Sequence, residues 1–488
     1  MSESTQAHSA LLSSCGVFQQ PDLSMVEWAH DHPTAKVFHV KRSGDPMTVR
    51  EMLDLHQPYY LKREKDLLQY LNRFESDFPR FYEIRKVGRH YLQLFERVGR
   101  ETLAQRVARK GPLKPKQVKR LLKNMLSTLK AVHETGFVHA RITPNNILCG
   151  IETPRRRKKR FYLENWSHAI VARKNFETEL LLGEQTYTAP ERLNGRYDPF
   201  GDLYQLGCVL YFALTGQHIY GLKGDETVFE QLYVHAYRSP VKLKKLHKAW
   251  RALIVWLTQK DPQKRPGLVD LADWLQGGPV PKAVRKQTKQ LKREQQRDRA
   301  VPLPADPLTE LADAHFAYAQ FKKANLMEAK HEWASAYNLY ESLANQGYNR
   351  ALCAQARMLS QGHGVDVDLM EAINLYQRAY QQGNPYAAFA LGQLVDKGAQ
   401  GTNAEGALKR VKADHAKAEQ LYEFAAMRGH LPSQYALGIC YLQGHGVTPN
   451  RNKAKSWLQL AATYGHASAR RVLKKLVSSE LQSEKEPV

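Results

Sequence analysis

Long apolar runs are missing from this chain. No stretch approaches the roughly 20 consecutive apolar residues that a membrane-spanning helix needs, which excludes a helical membrane protein. Cysteine is scarce. Five occur in 488 residues, at positions 15, 149, 208, 353 and 440, and none is paired in a C-x-x-C spacing. That excludes a disulfide scaffold and a thiolate metal cluster, and it favours a reducing compartment, the cytoplasm by default. The start of the chain carries Glu3 and no basic segment before an apolar core, so no signal peptide is expected. Acid is also short: 48 Asp and Glu stand against 72 Lys and Arg, for a net charge of +24. Such an excess suits nucleic acid, anionic lipid or acidic protein surfaces. Aromatic interleaving and a nucleic-acid-binding motif are both lacking, so the charge by itself names no partner.

What is present is a set of short motifs in a fixed order. The most informative is Val138-His139-Ala140-Arg141-Ile142-Thr143-Pro144-Asn145-Asn146-Ile147-Leu148. Laid on the signature H-R-D-L-x-x-x-N, His139 and Asn146 match, Ala140 replaces the Arg and Arg141 replaces the Asp. Downstream, Thr188-Ala189-Pro190-Glu191 matches A-P-E, and Asp202 to Gly207 has the form D-x-x-x-x-G. Asp261-Pro262-Gln263-Lys264-Arg265-Pro266 follows, with the form D-P-x-x-R-P. Upstream, Phe38-His39-Val40-Lys41 fits a V-A-I-K strand, and Glu64 fits a helix glutamate. About half the chain therefore resembles a protein kinase of the eukaryotic Ser/Thr type, with a bilobal α+β fold. The resemblance implies that Arg265 pairs with Glu191, and that Leu68, His139 and Trp166 occupy hydrophobic spine positions.

The same resemblance shows what has been lost. Phosphoryl transfer needs a glycine-rich loop, a strand lysine held by a helix glutamate, metal-binding Asp and Asn, and a base. The stretch Gly16 to Ser24 holds one glycine and Pro21, a poor phosphate cradle. At the base position Arg141 is permanently protonated and has no acceptor. The D-F-G position reads Asn165-Trp166-Ser167, so the metal-binding Asp is replaced by an uncharged Asn. Glu164 is one residue away, and strand alternation directs it to the opposite face. A shift of one residue in the alignment would instead restore an acid there. His39, two residues before Lys41, would crowd the adenine slot. Lys41, Glu64 and Asn146 remain as a vestigial nucleotide pocket, with Lys41 and Glu64 serving as a structural ion pair. No cofactor is expected, and ATP binding, if any, is expected to be weak.

The second half of the chain repeats. Gly347, Gly383, Gly429 and Gly465 recur at intervals of 36, 46 and 36 residues, each closing an apolar helical pattern. Gln361-Gly362-His363-Gly364-Val365 recurs identically at Gln443 to Val447, and Asp396 to Gly401 is a degraded copy. An insertion around Thr402 to Asp414 accounts for the long interval. The unit resembles the Sel-one-like repeat, a relative of the tetratricopeptide repeat. It implies an α/α solenoid of about three and a half units, counting a partial one from Trp333, whose groove binds protein. The two repeated histidines, 82 residues apart, share no ligand spacing and are expected to be turn residues rather than metal ligands.

These readings place an N-terminal segment at 1–20, a pseudokinase domain at 21–277, a basic linker at 278–306, the solenoid at 307–476 and a tail at 477–488. Two basic stretches stand out. Arg155, Arg156, Arg157, Lys158, Lys159 and Arg160 should tip a hairpin, and the linker should form a helix. Either the hairpin is a solvated turn or it binds an anionic partner. The expected function is a catalytically impaired scaffold or allosteric signalling protein that binds partners through the solenoid. The rivals are an atypical active Ser/Thr kinase, or other kinase-fold transferase, and an anion-binding adaptor.

Overall fold

A computed structural model describes residues 20–483, apart from 33–34, 44, 54–57, 75–76, 88–89, 153–158, 167–168, 173–185, 301 and 403–407. The chain divides into two compact units. The first is built from residues up to Asp54, Arg63–Lys174 and Glu179–Leu311, and the second runs from Ala312 onward.

The first unit opens with β1 (Leu23–His32), β2 (Ala35–Arg42) and β3 (Asp45–Leu53), then α1 (Pro58–Leu71), β4 (Phe81–Val87) and β5 (His90–Glu96). The five strands form one antiparallel sheet in the order β1-β2-β3-β5-β4. Alternation along the strands separates its two faces. Phe38, Val40, Met47, Val49, Leu92 and Leu94 share one apolar cluster. Thr48, Arg50 and Phe95 turn to the other side, where α1 contributes Leu67, Leu68 and Leu71 to the main core.

A helical lobe follows. β6 (Gly99–Thr102) leads into α2 (Leu103–Lys110), which begins with a Thr102–Gln105 capping box. In α3 (Pro115–His133) the buried Val118, Leu121, Leu122, Met125, Leu129 and Val132 fall at three- and four-residue spacing, one face of a helix. β7 (Phe137–Val138) precedes the loop to β8 (Ile147–Gly150). β8 then pairs antiparallel with β9 (Phe161–Leu163), and β10 (Ile170–Val171) pairs with β7. The basic run does sit in the β8–β9 connection. Arg155 to Lys158 lie outside the described residues, and Arg160 pairs with Asp77. α4 (Pro199–Thr215) is capped by the Asp198 side chain, closed by left-handed Gly216, and buried nearly all round. α5 (Val228–Tyr237), α6 (Lys248–Leu257) and α7 (Leu268–Gln276) pack around it. The stretch read as a linker forms α8 (Lys282–Ala300), whose Val284 and Leu291 are buried in the first unit's core. α9 (Pro307–Asp313) comes next.

The second unit is a stack of helices. α10 (Ala317–Ala329), α11 (Trp333–Asn345), α12 (Asn349–Gln361), α13 (Leu369–Gln381) and α14 (Pro385–Lys397) come before the insertion. α15 (His415–Met427), α16 (Leu431–Gln443), α17 (Arg451–Thr463) and α18 (Ala467–Ser483) come after it. The insertion itself is a hairpin of β11 (Ala399–Thr402) and β12 (Leu408–Val411). The recurring glycines end their helices in one way. Gly347, Gly383, Gly429 and Gly465 all have positive φ. At each, the next residue's N–H reaches back to the carbonyl five residues before it: Tyr348 to Leu343, Asn384 to Ala379, His430 to Ala425, His466 to Ala461. Small residues let neighbouring helices touch, and a Cβ at Gly438 would stand 2.8 Å from Leu458 Cγ. Within the repeated pentapeptide, a Cβ on Gly446 would stand 2.1 Å from the carbonyl oxygen of His415. The pentapeptide histidines stack on rings, His363 on Trp333 and His445 on His415.

Candidate functional site

The loop between β7 and β8 is held from beneath by Asp202 of α4. Its carboxylate accepts the N–H groups of His139 and Ala140 at 2.8 Å each, and is also met by His133 and Arg192. Burial alone would raise the Asp202 pKa, but the His133 hydrogen bond and the surrounding cations hold it down to about 2. Ala140 is thereby kept at φ 64°, a left-handed conformation that a non-glycine residue adopts at a cost. His139 is buried, and burial lowers its pKa to about 4. Its Nδ1 accepts the Arg141 N–H at 3.2 Å, so Nε2 carries the proton that it donates to the Glu164 carbonyl at 3.0 Å. Its ring stands edge-on to Trp166, with centroids 4.6 Å apart. Trp166 also meets Phe78 and lines one small cavity with Leu68, so the three expected spine positions do converge.

Arg141 and Asn165 stand where the resemblance requires acids. Asn146 Nδ2 donates to the Arg141 carbonyl at 2.8 Å, and Asn165 Nδ2 donates to Asn146 Oδ1 at 3.2 Å. Asn165 has φ 67° and is buried. The pair is therefore amide to amide, with no carboxylate between them for a hard divalent cation. Glu164 follows the last residue of β9 and, like Asn165 and Arg50, borders the small cavity lined by Trp166.

Lys41 and Glu64 are not brought together. Lys41 lies on β2, exposed, opposite Pro46. The strand that faces α1 is β3, whose Met47-Thr48-Val49-Arg50 takes the V-A-I-K place, so the cation at that position is Arg50. The reason is the hairpin: β2 and β3 both alternate and both carry a cation, and only their pairing order tells them apart. Glu64 itself is placed as expected. It is buried and accepts a hydrogen bond at 2.8 Å from Gln93, which sits opposite Arg50 on β5. Burial raises the pKa of both Glu64 and Glu164, and the charge of Arg50 opposes the rise at each. One guanidinium thus acts electrostatically on two sequestered carboxyl groups without a direct ion pair to either. Arg50 Nε and Nη2 and Glu64 Oε1 have no hydrogen-bond partner, and the adjoining cavity of about 20 Å³ has room for one water. The adenine-side position falls to Thr48 rather than His39, but His39 is its direct cross-strand partner and shares its face.

The glycine loop also moves. Gly16 to Gln19 lie outside the described residues, and the hairpin in the phosphate-loop position is β1–β2. Leu23 to Arg42 contains no glycine, and Pro33, between the two strands in sequence, lies outside the described residues. Sequence reasoning missed Arg50 and the Glu64–Arg50–Glu164 arrangement. The available signal was the second cation, ending a second alternating run after Gly44. It placed the buried Glu191–Arg265 pair correctly, at 2.6 and 2.7 Å.

In the second unit a groove of about 720 Å³ runs across α10 to α16. Arg350, Tyr376, Asn384, Tyr386 and Lys397 line it, and Arg357 projects into it while paired with Glu328 at 2.6 Å. Among the described residues no cluster of His, Cys, Asp and Glu suits a metal ion, and no helix is long and apolar enough to cross a membrane.

Comparison with known proteins agrees with both halves. The family model for the protein kinase domain matches residues 24–274, and that for the Sel1 repeat matches 350–384, 385–430 and 431–466. The chain is similar to a probable myosin light chain kinase of Dictyostelium discoideum, 26% identical over 46% of this chain and 47% of the relative. It is similar to the serine/threonine-protein kinase PknL of Mycobacterium tuberculosis, 28% identical over 46% and 60% respectively. It also resembles sperm motility kinase 2A of Mus musculus, 27% identical over 52% and 48%. The matches span between about half and 60% of these relatives' lengths.

Proposed function

The chain belongs to the protein kinase family and continues into Sel1 repeats, and from that premise we propose that it is a catalytically impaired kinase-like scaffold that binds a partner protein through its solenoid groove. One observation carries the reading. The scaffold of the catalytic loop is kept down to individual hydrogen bonds, through Asp202, Gln205 and Glu191–Arg265, while both acid positions hold residues that cannot do an acid's work. Arg141 has no acceptor for a hydroxyl proton, and Asn165 brings no charge to a metal. The glycine-free hairpin, and the burial of Arg50 without a direct ion pair to the helix glutamate Glu64, argue for weak ATP binding. The active-kinase rival would have to recruit Glu164, but that side chain is sealed beside Arg50.

The test is phosphate incorporation by the purified full chain with Mg²⁺ and ATP, together with the thermal shift on adding ATP with and without the metal. No transfer to itself or to generic protein substrates is expected, and a shift of no more than a degree or two at millimolar ATP. Incorporation that disappears in Glu164→Gln would overturn the reading and establish an atypical kinase.

A further inference from the structure

The first unit carries a second concave surface that plays no part in the site above. It opens between the short turn Leu243–Lys245, helix α6, the Gly278–Val280 loop and the first half of α8, and encloses about 660 Å³. Its floor is apolar. Ala252, Val280 and Leu291 are buried there, and Trp274 is half-buried and held against Trp250, ring centroids 5.1 Å apart. Its rim is cationic, with exposed Lys244 and Lys248 on one wall and Arg285 and Lys289 on the other. Neither wall contains an acid: Lys242 to Arg251 holds five Lys and Arg, and Lys282 to Leu291 holds four. Arg251 is already used, donating at 3.0 Å to the carbonyls of Leu243, Lys244 and Leu246. Asp273 of α7 has its carboxylate beside the backbone of Gly278 at one end of the groove. Among the described residues, none of the four rim cations is in an ion pair.

Four unneutralised cations around a recessed apolar floor repel one another and leave apolar surface wet, and a single ligand chemistry relieves both. We propose that this groove docks an acidic peptide segment of a partner protein, its carboxylates on Lys244, Lys248, Arg285 and Lys289 and one or two large apolar side chains on the floor between Trp274 and Leu291. Nucleic acid fits less well. The groove lining holds a single aromatic ring, Trp274, packed at a tilt of 60° against Trp250, and one such ring cannot stack successive bases. A membrane surface fits less well too, because the apolar residues are recessed behind the cations instead of protruding. The groove is separate from the solenoid, so partner capture by the repeats neither requires nor excludes it.

The experiment is fluorescence anisotropy of the full chain with a labelled peptide of glutamates carrying two leucines four residues apart. Binding should weaken at least about tenfold in the double variant Lys244→Glu, Lys289→Glu, with folding checked by circular dichroism. A peptide with both leucines replaced by serine should bind comparably more weakly. The control double variant Lys41→Glu, Lys65→Glu, both exposed and on the sheet-bearing lobe, removes the same charge and should leave binding unchanged. Equal losses in the two double variants would reduce the effect to net charge and overturn the proposal, as would no loss in the groove variant. If single-stranded DNA or phosphatidylserine vesicles bind more tightly than the peptide, and the groove variant alone loses that binding, the occupant is nucleic acid or membrane and the peptide reading is wrong.

Discussion

Removing the charge of Arg50 should unfold the first unit far more readily than its modest place in the sequence suggests. The side chain is 2% exposed and its charge is set against two carboxyl groups, Glu64 and Glu164, that burial has already pushed toward the neutral form. In Arg50→Met the volume is roughly conserved, so the change isolates charge from cavity formation. Arg50 acts on both carboxyl groups through space without a direct ion pair, so removing its charge should cost less than breaking a buried salt bridge, about 1–3 kcal/mol. For a unit of this size that corresponds to a fall of roughly 5 °C in Tm. The loss should also depend on pH. With Arg50 gone, the folded pKa values of Glu64 and Glu164 rise further above their unfolded values. Stability from such groups is present below the unfolded pKa and is lost as pH rises through the folded one. Arg50→Met should therefore be nearer to wild type at pH 5 than at pH 8. Scanning calorimetry of the full chain at both pH values follows the kinase-like transition directly. Lys41→Met, at an exposed β2 position, serves as the comparison and should leave Tm within about a degree. If Arg50→Met stays within 1 °C of wild type at pH 8 while Lys41→Met falls, then Lys41 is the buried partner and the strand assignment fails.

Three further outcomes follow from the same geometry. His139 and His218 each have a folded pKa near 4 through burial, against an ordinary value of 6.5, so each gives stability that is complete above pH 6.5 and lost as pH falls toward 4. The loss is at most about 3 kcal/mol per site. The kinase-like transition should therefore drop faster than that of the solenoid, where His430 is the counterpart, and a pH-independent Tm from 6.5 to 4 would count against it. Gly438→Val drives a branched side chain into Leu458, 2.8 Å from the position of its Cβ, and should cost about 1–3 kcal/mol in urea unfolding of the solenoid. Gly446→Ala, where φ is +75° and a backbone carbonyl blocks the Cβ, should cost more than that. Residues 307–476 expressed alone should be helical by circular dichroism and melt cooperatively, since each repeat contacts mainly its neighbours.

Elements whose geometry is local could be read directly from the sequence. A glycine at a helix C-terminus, a Ser/Thr/Asp cap or a Q-G-H-G-V turn fixes backbone over four or five residues, so the repeat period followed from residue spacing, and the resemblance to the Sel-one-like repeat supplied the solenoid. The loop around His139 and Asn146 was legible for a related reason, since Asn146 reaches only five residues back to hold the Arg141 carbonyl. Glu191 and Arg265 are 74 residues apart, and there the family resemblance supplied what spacing could not.

Tertiary structure decided what depends on which strand pairs with which. Phe38-His39-Val40-Lys41 and Met47-Thr48-Val49-Arg50 both alternate and both end in a cation, and a sequence with two such runs does not say which one lies against α1. The sheet order settles it, placing β3 beside β5, where Gln93 holds Glu64 and Arg50 sits opposite. Burial is decided the same way. The basic stretch after residue 281 reads as solvated by composition, yet Val284 and Leu291, seven residues apart on one helical face, find an apolar surface that only the folded lobe provides. The sequence by itself determined the motifs, the absent acids and the repeats, because these are properties of residue identity at short range. Which cation meets Glu64, and which acid-free segments close into a groove, was settled by contacts between residues far apart in the chain.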